Sequence, residues 1–517
     1  MIKYKNRKGT LCTILKLKEE MKKMKMKRIV SAMLGLSVAA TMAVGLSGCG
    51  GDKSSGDTLV WYVIGDKPDA HEKVMAKANE IIKEKIGMTL DLQYIDSASF
   101  TEKMKMKMAS GEAYDLAFTG YVNDYQTAVQ MGGLYDITDL IKETGLDQVI
   151  EDYYLESATI NGRIYGIPNI QVISNPTDIE IFDSAAEGAD IEGDLAEIEE
   201  KSNIHATYEQ LQEVMGVYDR MFKKVHDAHP ELYTWNPGNN MAVVGYEDIA
   251  GGVGLRKDGT SDKLEIIYET DEWKLGEEKM NEWFKAGYIR SDIASVGNAY
   301  SGTEERKKIA FTNGTWKPGQ DVYVVRQYGE NYKYAQLFDP YVSRKSALLT
   351  MISVGANTKH PKEAVELIKL MNTDTELYNI ICWGIEGETY TKNDDGTVTI
   401  VKGGGYDDIG QNAWKYGNQF NGFRQEGQAE DVWEETARMN DEADKSPLIG
   451  FVPDLTDIQS EIANIANVDA EFKAKRGFGT EALSEWFDDY DQKMKTAGIE
   501  KVRDELQKQY DEWKASK

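Results

Sequence analysis

The chain has 517 residues, of which 60 are Lys or Arg, 87 are Asp or Glu and three are Cys, for a net charge of −27. So acidic a surface repels nucleic-acid phosphate and anionic lipid, which argues against nucleic acid as a partner, and three cysteines are too few for a disulfide-built scaffold. The roughly 460 residues that remain once the leader described next is set aside are enough for two or three domains, each with its own core.

The first segment is basic. MKKMKMKRIV (21–30) is followed by residues 29–46, which carry no charge, and then by LSGCG with Cys49. A basic start, an apolar run and small residues at a cleavage point read as a secretory leader. The run is near the minimum spanning length of roughly 17–20 residues, and the small residues before the cysteine favour cleavage over a membrane span. Leu46-Ser47-Gly48-Cys49 resembles the bacterial lipobox, which implies cleavage before Cys49 and lipidation of that residue, and several acyl chains anchor where one is marginal. Residues 1–20 read as an upstream extension. Residues 1–48 hold 11 Lys+Arg against 2 Asp+Glu, so removing them takes the net charge to about −36. Cys12 leaves with the leader and Cys49 is the anchor, so Cys382 is left without an intrachain partner.

After a short Gly/Ser/Asp linker (50–57) the pattern alternates. TLVWYVI (58–64) is a strand by its β-branched and aromatic content. Val74, Ala78, Ile81, Ile82 and Ile86 recur at helical spacing, with Gly87 as a stop. MTLDLQYI (88–95), a helix over SFTEKMKMKMASG and YDLAFTGY (114–121) complete β-α-β-α-β, which predicts parallel strands with right-handed crossovers. Ligands of open α/β sheets sit beyond the carboxyl ends of the strands, which places Gly65, Asp66, Tyr121 and Asn123 on a candidate rim. Residues 187–201, rich in acid, read as an exposed insertion. Residues 204–227 form a helix whose Thr207 and Gln210 have capping-box spacing, and 271–286 form another. TKNDDGTVTIVKG (391–403) reads as a hairpin on an Asp-Gly turn without calcium-loop spacing. Two helices broken at Gly498 end the chain.

One stretch resists a simple assignment. In FTNGTWKPG (311–319), Asn-Gly and Lys-Pro-Gly are both turn signals, yet Trp316 stands between them. Three readings compete: a core residue at a strand end, an N-glycosylation sequon at Asn313-Gly314-Thr315, or a platform for a ligand. The bacterial leader removes the sequon.

Catalytic and metal signatures are missing. No His-Glu-x-x-His, zinc-type cysteine pair or Gly-x-Ser-x-Gly elbow occurs, and Gly251-Gly252-Val253-Gly254 fits neither a P-loop nor a dinucleotide fingerprint. His226 and His229 could share a metal but read as a solvated helix end, and Cys382 reads as a buried thiol. No cofactor is expected. Paired carboxylates occur by chance among so many acids, so a glycan-cleaving enzyme stays open as an alternative.

The family resemblance rests on several stretches taken in order. ERKKIAFTNGTWKPG and, after a gap, ALLTMISVGANTKHPKEAVELIKLMNTD resemble the matching regions of maltose-binding protein and its relatives. NGRIYGIP (161–168) resembles the stretch near the crossing between lobes, and MNEWFKAGYIRSD (280–292) a helix and turn of the second lobe. ICWGIEGETY, WKYGNQFNGF and AGIEKVRDELQKQYDEW resemble the Gram-positive lipoprotein branch. Residues 172–206 depart from the pattern. The resemblance implies two discontinuous α/β lobes with a hinge and a ligand cleft: residues 58–166 plus about 345–405, and 167–344 plus about 406–517. It implies a monomeric lipoprotein on the outer face of a Gram-positive-type cell membrane. There it would capture an oligosaccharide and pass it to ABC transporter permease subunits. The same fold with a peptide or other small solute is the alternative. Sugars offer an apolar C–H face for aromatic stacking and a rim of hydroxyls for amides and carboxylates. The candidate ligand residues are therefore Trp316, Tyr121, Trp235, Trp61, Trp383 and Trp414, with Asp66, Asn169, Gln171, Asn418 and Asn421 as polar contacts.

Overall fold

Alternation in TLVWYVI puts Leu59, Trp61 and Val63 on one face, and a computed structural model of the chain buries that face completely. The structure describes residues 57–174, 177–201, 203, 205–237, 245–297, 302–406 and 413–517. The leader, the lipobox cysteine and most of the linker lie outside the described residues.

The strands in chain order are β1 (Thr58–Ile64), β2 (Thr89–Ile95), β3 (Leu116–Gly120), β4 (Gly166–Pro168), β5 (Thr177–Phe182), β6 (Tyr233–Trp235), β7 (Tyr246–Ala250), β8 (Val253–Arg256) and β9 (Glu265–Ile266). They continue with β10 (Ile309–Thr315), β11 (Tyr332–Gln336), β12 (Tyr341–Val342), β13 (Thr350–Val354), β14 (Tyr390–Lys392), β15 (Val398–Ile400) and β16 (Asp444–Lys445).

The first sheet has the order β2-β1-β3-β13-β4. Its first three strands are parallel, as the β-α-β-α-β pattern requires, and the helices His71–Ile86 and Ser97–Ser110 make the crossovers. Gly87 ends the first helix in the left-handed region at φ 73°, where only glycine is unstrained. β13 runs antiparallel to both β3 and β4, so Thr350 pairs with Gly120 and Met351 with Pro168. The carboxyl ends of β1, β3 and β4 and the amino end of β13 therefore share one edge.

The second sheet has the order β11-β5-β10-β6. Helix Tyr208–Ala228 lays Leu211, Val214, Met215, Tyr218, Met221 and Phe222 into its core, and both hydrogen bonds of the Thr207–Gln210 capping box form. The acidic stretch corrects the sequence reading. It is no exposed insertion, because Glu192–Lys201 is a helix whose Leu195 and Ile198, with Ile191 before it, enter the same core. The spacing i, i+4, i+7 carried that signal, and the density of carboxylates hid it. Asn313-Gly314 is likewise no turn: both residues lie inside β10, paired with Ile179 and Asp178 of β5. The turn comes later, at Gly319, where φ is 73°.

A third core joins β7, β8 and β9 to the C-terminal helices Gln459–Arg476, Leu483–Ala497 and Ile499–Ser516. Helix Asp271–Lys285 welds it to the second, giving Trp273 to the third core and Leu275, Met280 and Trp283 to the second. Tyr406, Ala413 and Tyr416, expected in the second lobe, lie in the first core. Residues 390–400 form the expected hairpin of β14 and β15. β12 and β16 pair in parallel. Among the described residues no helix is long and apolar enough to cross a membrane.

Candidate functional site

The shared edge of the first sheet collects a set of side chains far apart in sequence. β3 ends at Gly120, with φ 146°, and an added Cβ would strike the Leu349 carbonyl at 2.0 Å. The tight approach lets the Tyr121 amide donate to that carbonyl, 3.0 Å away, and turns the Tyr121 ring outward, 56% exposed. Trp414 comes to the same place from the other end of the chain. Its ring centroid lies 6.1 Å from Tyr121 and 5.9 Å from Phe118. The two rings form an aromatic face over an apolar base, suited to the C–H face of a sugar.

Polar groups flank it. Asn169, directly after β4, is 1% exposed, and among the described residues neither its amide nitrogen nor its amide oxygen has a hydrogen-bond partner. Buried amides are almost always paired, so this side chain is set for an acceptor and a donor that the described residues do not supply. Gln171 instead donates to the Thr350 hydroxyl at 2.7 Å, which fixes the floor beside it. Asp66 is exposed at the end of β1. Asn123 corrects the rim reading: it is buried and its amide nitrogen donates to the Phe118 carbonyl, so it shapes the β3 turn.

Lys415 is the group sequence patterning missed. It is 3% exposed beneath Gly65, and its Nζ donates to the Ile64 carbonyl at 2.7 Å. Burial pushes its ammonium down to about 8, against the opposing pull of Cys382 and Asp66. The only hint was a lysine set inside the aromatic run Trp414-Lys415-Tyr416.

Three tryptophans on the candidate list belong to cores. Trp61 is completely buried with its edge on Tyr416, Trp235 is 1% exposed and stacked on Phe222 at 5.3 Å, and Trp383 is 4% exposed. Trp235 looked like a turn residue because Asn-Pro-Gly follows it, but it is the last residue of β6 and faces inward. Asn418 caps the short turn 419–421 by accepting from the Phe420 amide, and Asn421 donates to the Asn372 carbonyl. Both are occupied by structure.

Trp316 is not part of the first-sheet rim. It stands just past the end of β10, half-buried, stacked on Tyr334 of β11 with centroids 5.6 Å apart and planes at 28°. This second aromatic face borders a cavity of about 410 Å³, shared with Gln336, Asp339 and the Glu435–Arg438 face of helix Val432–Glu442. His226 and His229 are engaged by Thr234 and by the Glu187 carbonyl, and among the described residues no group of three His, Cys, Asp or Glu is arranged to hold a metal. Cys382 is buried, and burial pushes its thiol up, so it is inert.

Comparison with known proteins gives the family. Residues 75–381, more than half of the chain, match the family described as Bacterial extracellular solute-binding protein, and residues 447–515 match one described as Domain of unknown function (DUF3502). A carbohydrate ABC transporter substrate-binding protein of Streptococcus pneumoniae is 26% identical over 516 residues, covering 94% of this chain and 98% of that protein. The crystal structure of an N-glycan transport solute binding protein from the same organism superposes with a TM-score of 0.75 at 25% identity, covering 88% of this chain and 98% of that one. The same protein in complex with Man5GlcNAc gives 0.67 at 24% identity, with 89% and 99% covered.

Proposed function

Because the chain belongs to the bacterial extracellular solute-binding protein family, we propose that it captures an oligosaccharide between two lobes and delivers it to the permease of an ABC importer. The observation that carries the reading is the Tyr121–Trp414 pair, with Tyr121 exposed and Trp414 half-buried, on the same sheet edge as the buried Asn169 amide, which has no partner among the described residues. Aromatic faces take the C–H side of a sugar ring with little loss of rotamer entropy, and a buried amide exacts hydroxyl partners. The Trp316–Tyr334 stack would supply a second face from the other lobe on hinge closure. Asp66 and Gln171 are the further polar contacts of the same reading.

We divide the lobes by their cores: residues 57–168 with about 343–443 form one, and about 177–336 with 447–517 the other. Cys49 carries the lipid that holds the protein at the outer membrane face, and residues 50–57 are the tether. The chain works as a monomer, binds and releases, and makes or breaks no bond.

The relative solved with glycans makes mannose–N-acetylglucosamine oligosaccharides the first ligands to try. In a thermal-shift screen, a saccharide at 100 times its dissociation constant stabilises the fold by about 2.7 kcal/mol. Shifts with peptides and none with any saccharide would overturn the sugar reading, and release of shorter sugars would make the protein an enzyme.

A further inference from the structure

The most deeply placed charge at the sheet edge is the Lys415 amine. An ammonium carries three donors, and here one is spent on the Ile64 carbonyl. No described carboxylate lies within ion-pair distance of it, so among the described residues two N–H groups have no hydrogen-bond acceptor, in a side chain 3% exposed. Gly65 lies against this amine. Its backbone stands at φ 127°, and an added Cβ would lie 3.0 Å from Nζ. The absent side chain is a gap over the amine. Trp414 and Tyr416 wall the gap, their ring centroids 5.8 and 5.5 Å from Nζ.

We propose that Lys415 is a specificity-determining residue of the cleft, donating through the gap at Gly65 to a neutral oxygen of the saccharide, a ring hydroxyl or the carbonyl of an N-acetyl group. The proposal rests on the oligosaccharide reading above. Asp66 stands at the same opening and the chain carries 87 acidic residues against 60 basic ones, so an anionic sugar is repelled. A ligand lacking the oxygen would leave the buried donors unmatched, and that mismatch is how a polar pocket discriminates. Binding also has a proton signature. Among the described residues, the groups facing the amine are Asp66 from the end of β1, the Cys382 thiol from helix Thr375–Trp383 and the rings on its own segment. Burial holds Lys415 near 8, and a ligand acceptor stabilises the charged form, so binding takes up protons just above that pH.

The test is calorimetric titration of the purified protein, wild type and Lys415→Met, at pH 8.5 in two buffers of different ionisation enthalpy. The ligands are mannose–N-acetylglucosamine oligosaccharides and counterparts with a hydroxyl in place of the acetamido group. The wild type is expected to take up a fraction of a proton. Lys415→Met is expected to bind at least tenfold more weakly, with no uptake and a melting temperature no lower than wild type. The ligand series that loses more affinity in the variant identifies the oxygen. Equal affinity of variant and wild type, or a wild type that binds without proton uptake, overturns the proposal and leaves the sugar reading standing. The second of these outcomes needs no variant and decides the matter even if Lys415→Met fails to fold. A wild type that binds no saccharide overturns both.

Discussion

Trp316 and Trp235 leave neighbouring strands of one sheet, and both are followed within three residues by Pro-Gly. One ring is half-exposed against Tyr334 and the other is sealed against Phe222. Replacing Trp316 or Tyr121 with Ala should lower saccharide affinity about tenfold, roughly 1.4 kcal/mol, with the melting temperature nearly unchanged. Trp235→Ala should instead cost about 3–5 kcal/mol of stability in denaturant titration, since it empties a packed core. The choice between these fates was not legible locally, because it depends on which face of the sheet a distant helix covers. Asn169 was legible as a polar residue near a crossing, but its unpaired burial was not. His71 adds a pH effect. It is 4% exposed, Nδ1 has no partner among the described residues, and burial, then Lys67, push its imidazole below the ordinary 6.5. The neutral form is favoured in the fold. Its contribution is therefore full above pH 6.5 and is lost as pH falls through the lower folded value, where the unfolded chain binds more protons. Denaturation at pH 5 to 7 should show a smaller acid loss for His71→Phe than for wild type.

The elements were more readable than their placement. Helix 208–228 shows both its apolar stripe and its capping box in sequence, and the box closes as expected. Thr207→Ala should cost about 1 kcal/mol by urea denaturation without altering ligand affinity, because it frees amide donors only at the helix start. The helix Glu192–Lys201 was misread because its charge suggested solvent. Its Asp194 is in fact 5% exposed and paired with Lys224 at 2.7 Å and with Arg220, so the acid is consumed by the neighbouring helix. β10 runs through Asn313-Gly314 because β5 offers it a full ladder of partners. A tight-turn dipeptide turns only where no strand is waiting beside it.

On the scale of the whole molecule, the C-terminal match to a domain of unknown function is not a self-contained body. Its helices share one core with β7, β8, β9 and Trp273, and Gln507 accepts from the Leu264 amide 243 residues away. Two residues past the match, Lys517 reaches Glu156 of helix Asp152–Ala158, beside the first sheet. Deleting 447–517 should therefore expose Ile249, Val253, Leu255 and Trp273, giving an aggregating protein with no cooperative unfolding transition by calorimetry. By itself the sequence determined the fold class, the parallel start of the first sheet, the helix ends and the kind of chemistry expected at a strand edge. These follow from short-range rules: periodicity, capping and crossover handedness. Only the tertiary structure decided which aromatics reach water, that Tyr406, Ala413 and Tyr416 lie in the first core, that Lys415 lies against Gly65, and that Trp414 meets Tyr121. Such contacts join residues hundreds of positions apart, and burial is a property of the closed packing rather than of any stretch within it.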